Sequence, residues 1–168
     1  METNGEDKSR LFLKERTSPQ DIELQKWVEL LNMSPTAQQS ITLIVGGSII
    51  SGIAIGRGQY HRREGEQFVE LRLKNGLSDE KETEDLKRKY DEEANKMEEN
   101  VKQRYNDEEV GEEEWYDNLP HYIHLKDVHL PVGLGTGAAP DFMQLRLKLS
   151  SVDGFSLVGM TAKVSFGG

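Results

Sequence analysis

The chain has 168 residues, no cysteine and a formal net charge of −9. That length suits one domain with a modest core, and the missing cysteines exclude disulfide frameworks, thiolate metal sites and cysteine nucleophiles. The charge is segregated: Leu77–Asp117 holds 17 of the 30 acidic residues and 7 of the 21 basic ones, a balance of −10 that leaves +1 for the rest of the chain.

Residues 1–17 are polar, mix acids with bases and lack the apolar run of a secretory signal, so a disordered N-terminus is expected there. Ser18-Pro19-Gln20-Asp21 reads as a helix start, with Ser18 at the N-cap and Pro19 at the first helical position. Ile22, Leu24, Trp27, Val28, Leu30 and Leu31 follow mostly at three- and four-residue spacings, which gives one face to bury before Ser34-Pro35 closes the helix.

Leu30–Gly56 carries no charge, yet Pro35, Gln38, Gln39, Ser40 and internal glycines interrupt it. Its apolar part, Ile41–Ile55, falls short of the roughly 18 residues a membrane span needs. A strand pair fits better: β-branched Ile41–Val45, a Gly46-Gly47 turn, then Ile49–Ile55 with Ile49, Ser51, Ile53 and Ile55 on one face. Gly52, on the other face, permits a bend or a close backbone approach.

From about Gln59 the pattern turns helical and charged, and Gly65 and Asn75-Gly76 are expected to break it. A long helix is predicted from Ser78. In it Leu86, Tyr90, Ala94, Met97, Val101 and Tyr105 recur every three or four residues as one apolar stripe on a charged cylinder. Pairs such as Glu84–Arg88, Asp85–Lys89, Glu92–Lys96 and Glu98–Lys102 add small i,i+4 support. The acidic run Asp107–Glu114 reads as a solvated connector.

His121–Leu130 has strand character and ends at Pro131, after which Gly133–Pro140 is a glycine-rich loop. Phe142–Leu149 alternates, with Met143, Leu145, Leu147 and Leu149 against Gln144, Arg146 and Lys148, as an antiparallel strand with one wet face does. Asp153-Gly154 signals a turn, and Phe155–Phe166 is the last predicted strand. The fold class expected is α+β, mainly β: a small five-stranded antiparallel barrel of the Sm or SH3 type with an N-terminal helix. Residues 18–168 form its single domain, with the acidic helical insertion at about 59–117, between strands 2 and 3.

No residue pattern carries catalysis. His121, His124 and His129 are near one another in sequence, but strand residues three apart point to opposite faces, so a shared metal is not expected. The acidic run lacks the ligand spacing and turn glycine of a calcium loop. Gly133-Leu134-Gly135-Thr136-Gly137 has no Gly-Lys-Ser/Thr after it, and no Gly-x-Ser-x-Gly elbow occurs. Neither cofactor nor metal is expected. The feature that points outward is the stripe. Leu86, Tyr90, Met97, Val101 and Tyr105, with Trp115 and Tyr116, either pack on the protein's own body or meet a partner or second copy.

Ile41-Thr-Leu-Ile-Val-Gly-Gly-Ser-Ile-Ile-Ser-Gly52, then His121-Tyr-Ile-His-Leu-Lys126, then Val152-Asp-Gly-Phe155 with an apolar strand after it, resemble in order and spacing the gas-vesicle accessory protein U family. The acidic helical middle fits too, and the similarity runs from about Glu23 to Met160. The resemblance implies a non-enzymatic cytoplasmic protein that associates with the outside of the gas vesicle shell and promotes clustering or assembly. Its implied partners are the shell protein and further copies of itself. No catalytic residues come with the family. An extended N-terminus and an unusually charged insertion set this chain apart. The rival class is an Sm-like nucleic-acid binder or another oligomeric scaffold. The balanced body and the −10 block oppose binding to nucleic acid or to an anionic membrane.

Overall fold

The computed structural model describes residues 21–106, 118–130 and 144–157. Helix α1 (Ile22–Asn32) is capped by Asp21, whose carboxylate accepts from the amides of Glu23 at 2.9 Å and Leu24 at 3.1 Å. The expected cap at Ser18 lies outside the described residues. Asp21 takes that role because its side chain reaches two of the amides that a helix start leaves unpaired.

Strands β1 (Gln38–Val45) and β2 (Ser48–Ile55) pair around Gly46 and Gly47, both at positive φ, as the glycine dipeptide predicts. Helices α2 (Arg57–Lys74) and α3 (Glu80–Asn106) follow as an antiparallel hairpin. Strands β3 (Tyr122–His129), β4 (Leu145–Lys148) and β5 (Gly154–Leu157) complete one sheet in the order β4-β3-β2-β1-β5, antiparallel throughout. The fold is thus α+β, with one five-stranded antiparallel sheet. Of the predicted last strand, the part beyond Leu157 lies outside the described residues, as do Phe142 and Met143.

The core lies between α1 and one face of this sheet. Leu24, Val28 and Leu31 of α1 meet Ile41, Leu43, Ile50, Ala54, Ile123, Leu125, Val128 and Leu149. On β2 it is therefore Ile50 and Ala54 that enter the core with Gly52 between them, while Ile49 on the other face is exposed. Burying each Leu or Ile contributes roughly 1.5–3 kcal/mol. Such terms, summed over this cluster, set the face of every strand.

The closed barrel expected from the sequence is not what the strands form. β4 and β5 are the two edges, and among the described residues they do not pair. The sheet is nevertheless strongly rolled. Lys148 pairs with Tyr122, beyond the Ile55 end of β2, whereas Gly154 pairs with Ile44 beside the Gly46-Gly47 turn. In a flat sheet these positions would be separated by about 19 Å across four strand spacings and by roughly 25 Å along the strands. Only Leu149–Asp153 joins them, a path of at most about 20 Å that begins with a 3₁₀ turn at Leu149–Ser151. The turn is pinned at both ends: the Leu149 amide donates to the His121 carbonyl at 2.9 Å, and the Asp153 amide to the Ile44 carbonyl at 2.8 Å. The sheet must curl for both bonds to exist.

The curl has a local cause. Between the β2–β3 pairs Ser51–His129 and Ile53–Lys126, β3 carries one residue more than β2. Asp127, in that bulge, has φ 50°, and such bulges bend and twist the strand that holds them. Opposite it, a Cβ on Gly52 would come within 3.1 Å of the Lys126 carbonyl oxygen, the close backbone approach this glycine was expected to allow.

Candidate functional site

Helix α2 ends in a Schellman motif. Gly76, at φ 64°, donates to the Leu73 carbonyl at 3.0 Å, and the Leu77 amide to the Arg72 carbonyl at 2.9 Å. Arg72 secures the turn by donating to Ser78 Oγ and to the Leu77 carbonyl. Asp79 then caps α3, accepting from the Glu82 amide at 2.8 Å. The expected break at Asn75-Gly76 is therefore a designed reversal, whereas Gly65 lies inside α2 without interrupting it.

Gly65 is instead a contact. A Cβ there would overlap the ring of Tyr90 on α3, and a Cβ on Gly58 would overlap the Glu98 carboxylate. Around these two close approaches the hairpin is bonded by charge. Arg62 donates to both Glu98 oxygens at 2.6 and 3.1 Å and to Asn95 Oδ1 at 2.6 Å. His61 pairs with Glu93 at 2.9 Å, and its ring lies 4.9 Å from that of Tyr90. Ala94 and Val69 are buried. The C-terminal part of α3 is tied to α1 by Arg104, which donates to the buried Glu29 at 2.6 Å.

The sequence-predicted stripe is thus placed as follows. Tyr90 packs on Gly65 and His61 of α2, Met97 and Val101 line a cleft beside α1, and Leu86 is half-buried. Tyr105 is 49% exposed. Trp115 and Tyr116 lie outside the described residues, as do the acidic run 107–114 and the glycine-rich loop 133–140. A second apolar surface was not singled out in the sequence. At the turn of the hairpin Phe68, Leu71, Leu73 and Leu77 are all exposed, Leu77 by 63%. Phe68 and Leu71 share a helix face by their i,i+3 spacing, a signal present in the sequence but masked there by the surrounding charges.

The cleft beside α1 has a volume of about 610 Å³ and gathers Arg57, Arg104, Arg146, His121, His124, Tyr122 and Glu29 from α1, α2, α3, β3 and β4. His124 is 5% exposed, its ring lies 4.6 Å from that of Tyr60, and its buried Nδ1 has no hydrogen-bond partner among the described residues. Burial, and then the nearby positive charges of Arg146 and Arg57, push the imidazole pKa down to about 4, so it is neutral at pH 7. Arg146 lies over the Tyr122 ring, 3.9 Å from its centroid. No group of three metal-ligating side chains occurs among the described residues. No helix there is long and apolar enough to cross a membrane.

The fold and these surfaces define an α+β protein whose sheet carries a charged helical hairpin with an apolar end. The family model described as gas vesicle protein GvpU-like matches residues 21–160, so the chain belongs to the GvpU-like family and is a gas-vesicle-related protein. That family is one of accessory proteins, not known as enzymes. No curated protein and no solved structure matches the chain.

Proposed function

We propose that this protein associates with the outside of the gas vesicle shell and, by self-association, promotes clustering or assembly of vesicles in the cytoplasm, without enzymatic activity. The observation that carries the reading, beyond family membership, is the exposed apolar end of the hairpin, Phe68, Leu71, Leu73 and Leu77. Apolar side chains crowded at the end of an otherwise charged element are the usual mark of a docking surface. The acidic faces of α3 add an electrostatic contact that weakens as salt screens it. Tyr105, exposed at the opposite end of α3, offers a second contact apart from the hairpin end. A membrane surface or nucleic acid is disfavoured by the net negative charge.

Flotation of purified gas vesicles with the full chain tests this. The wild-type protein rises with the vesicles and clusters them, and Phe68→Ser with Leu71→Ser and Leu77→Ser abolishes both while the helical circular dichroism is kept. Undiminished co-flotation and clustering by the triple variant would overturn the assignment of the hairpin end.

A further inference from the structure

The arginine-lined cleft plays no part in the vesicle contact proposed above, yet its chemistry is that of a binding site. Among the described residues Glu29 is the one acid lining it, and Arg104 already engages that carboxylate. Arg57 and Arg146 have no carboxylate within 4.0 Å among the described residues, so within those residues two guanidinium groups of the cleft are left without an ion-pair partner. Such charges on converging elements repel each other, and an anion between them relieves the repulsion.

Two further observations point the same way. His124 is more than nine-tenths buried in the wall of this cleft, and its Nδ1 has no hydrogen-bond partner among the described residues. Such a group is unfavourable until something satisfies it. Arg146 lies over the Tyr122 ring, 3.9 Å from its centroid, and a guanidinium is a forked donor suited to a planar or tetrahedral oxyanion.

We propose that this cleft is a binding site for a metabolite-sized molecule bearing a phosphate or carboxylate group, held by Arg57 and Arg146 with His124 beside it. The volume of about 610 Å³ is that of a small-molecule site. An extended polyanion such as nucleic acid fits less well, because two free arginines balance one or two negative charges and the acids of α3 repel the rest.

The site does not depend on vesicle association, so it is tested on the full chain alone, by calorimetric titration with pyrophosphate and with citrate at constant ionic strength. At least one of the two binds with a Kd below about 1 mM, and Arg57→Ala or Arg146→Ala each weakens it at least about tenfold. Arg88→Ala, which removes an equal charge from the exposed face of α3, leaves it unchanged. Tighter pyrophosphate binding identifies a phosphate-bearing ligand, and tighter citrate binding a carboxylate. Binding of neither with a Kd below about 1 mM, equal binding by the arginine variants, or binding only to an oligonucleotide or a polyglutamate peptide would overturn the proposal.

Discussion

Gly65 on α2 lies against the ring of Tyr90 on α3 so closely that even one methyl group does not fit. The ring of Tyr90 also contacts His61, one turn earlier on α2, which in turn pairs with Glu93. This contact decides the sign of a mutation that helix propensity alone would misjudge. Gly→Ala inside a helix is ordinarily stabilising by roughly 0.5–1 kcal/mol. Here the added Cβ must push the α3 ring away, and overpacking of that kind costs about 1–3 kcal/mol. Gly65→Ala is expected to lower the urea midpoint, and Tyr90→Ala in the same chain to recover much of the loss. A midpoint raised by Gly65→Ala alone would show that the hairpin is not packed at this point.

Glu98 is 4% exposed and held by Arg62. Removing one partner of a buried ion pair leaves an uncompensated charge, which costs about 3–5 kcal/mol, whereas replacing both by apolar groups is often nearly neutral. Arg62→Ala is therefore expected to destabilise the protein by about 3 kcal/mol, and the double change Arg62→Met, Glu98→Leu by much less. Thermal unfolding of the two variants checks this, and equal losses would remove the pair from the account of hairpin stability.

His124 gives a pH dependence with a definite sign. Its folded-state pKa is about 4, below the ordinary 6.5, so the unfolded chain binds the proton more readily between those values. The stabilising contribution is complete above pH 6.5 and is lost as pH falls through that window. The shift corresponds to about 3 kcal/mol at most. Stability from urea titrations is expected to fall between pH 6.5 and 4.5 more steeply in the wild type than in His124→Gln. An NMR titration showing the His124 ring protonated near pH 6 would contradict the burial argument.

Asp127 marks the bulge that rolls the sheet, with φ 50° in a strand. A β-branched residue tolerates that conformation poorly, and its strain is of order 1–3 kcal/mol. Asp127→Val is expected to destabilise by about that amount, while Asp127→Gly is close to neutral. Denaturant midpoints distinguish the two, and a harmless valine would place the bend elsewhere.

Much of this architecture was legible from residues close together in the chain. Gly46-Gly47 marked the hairpin turn, the alternation of Leu145, Arg146, Leu147 and Lys148 marked an antiparallel strand with one wet face, and Gly52 marked a bend or close approach. The three- and four-residue spacing from Leu86 to Tyr105 predicted a helix over the region that α3 occupies. The motifs Ile41–Gly52, His121–Lys126 and Val152–Phe155 also carried the family. These readings succeed because turns, periods and caps are set by steric and hydrogen-bonding rules acting within a few residues.

The sequence by itself therefore determined the elements, their order and the segregation of charge into one insertion. The tertiary structure alone decided what those elements face. It gave the stripe a partner, seating Tyr90 on Gly65, a glycine whose sequence reading was a helix break. It left the sheet open but rolled, because the bulge at Asp127 and the short Leu149–Asp153 link act together across strands distant in sequence. It also drew Arg57, Arg104, His124 and Arg146 from four elements around one cleft. No local pattern encodes such convergence, because it depends on how the hairpin and α1 pack against the rolled sheet, and that packing is fixed by burial of the whole core at once.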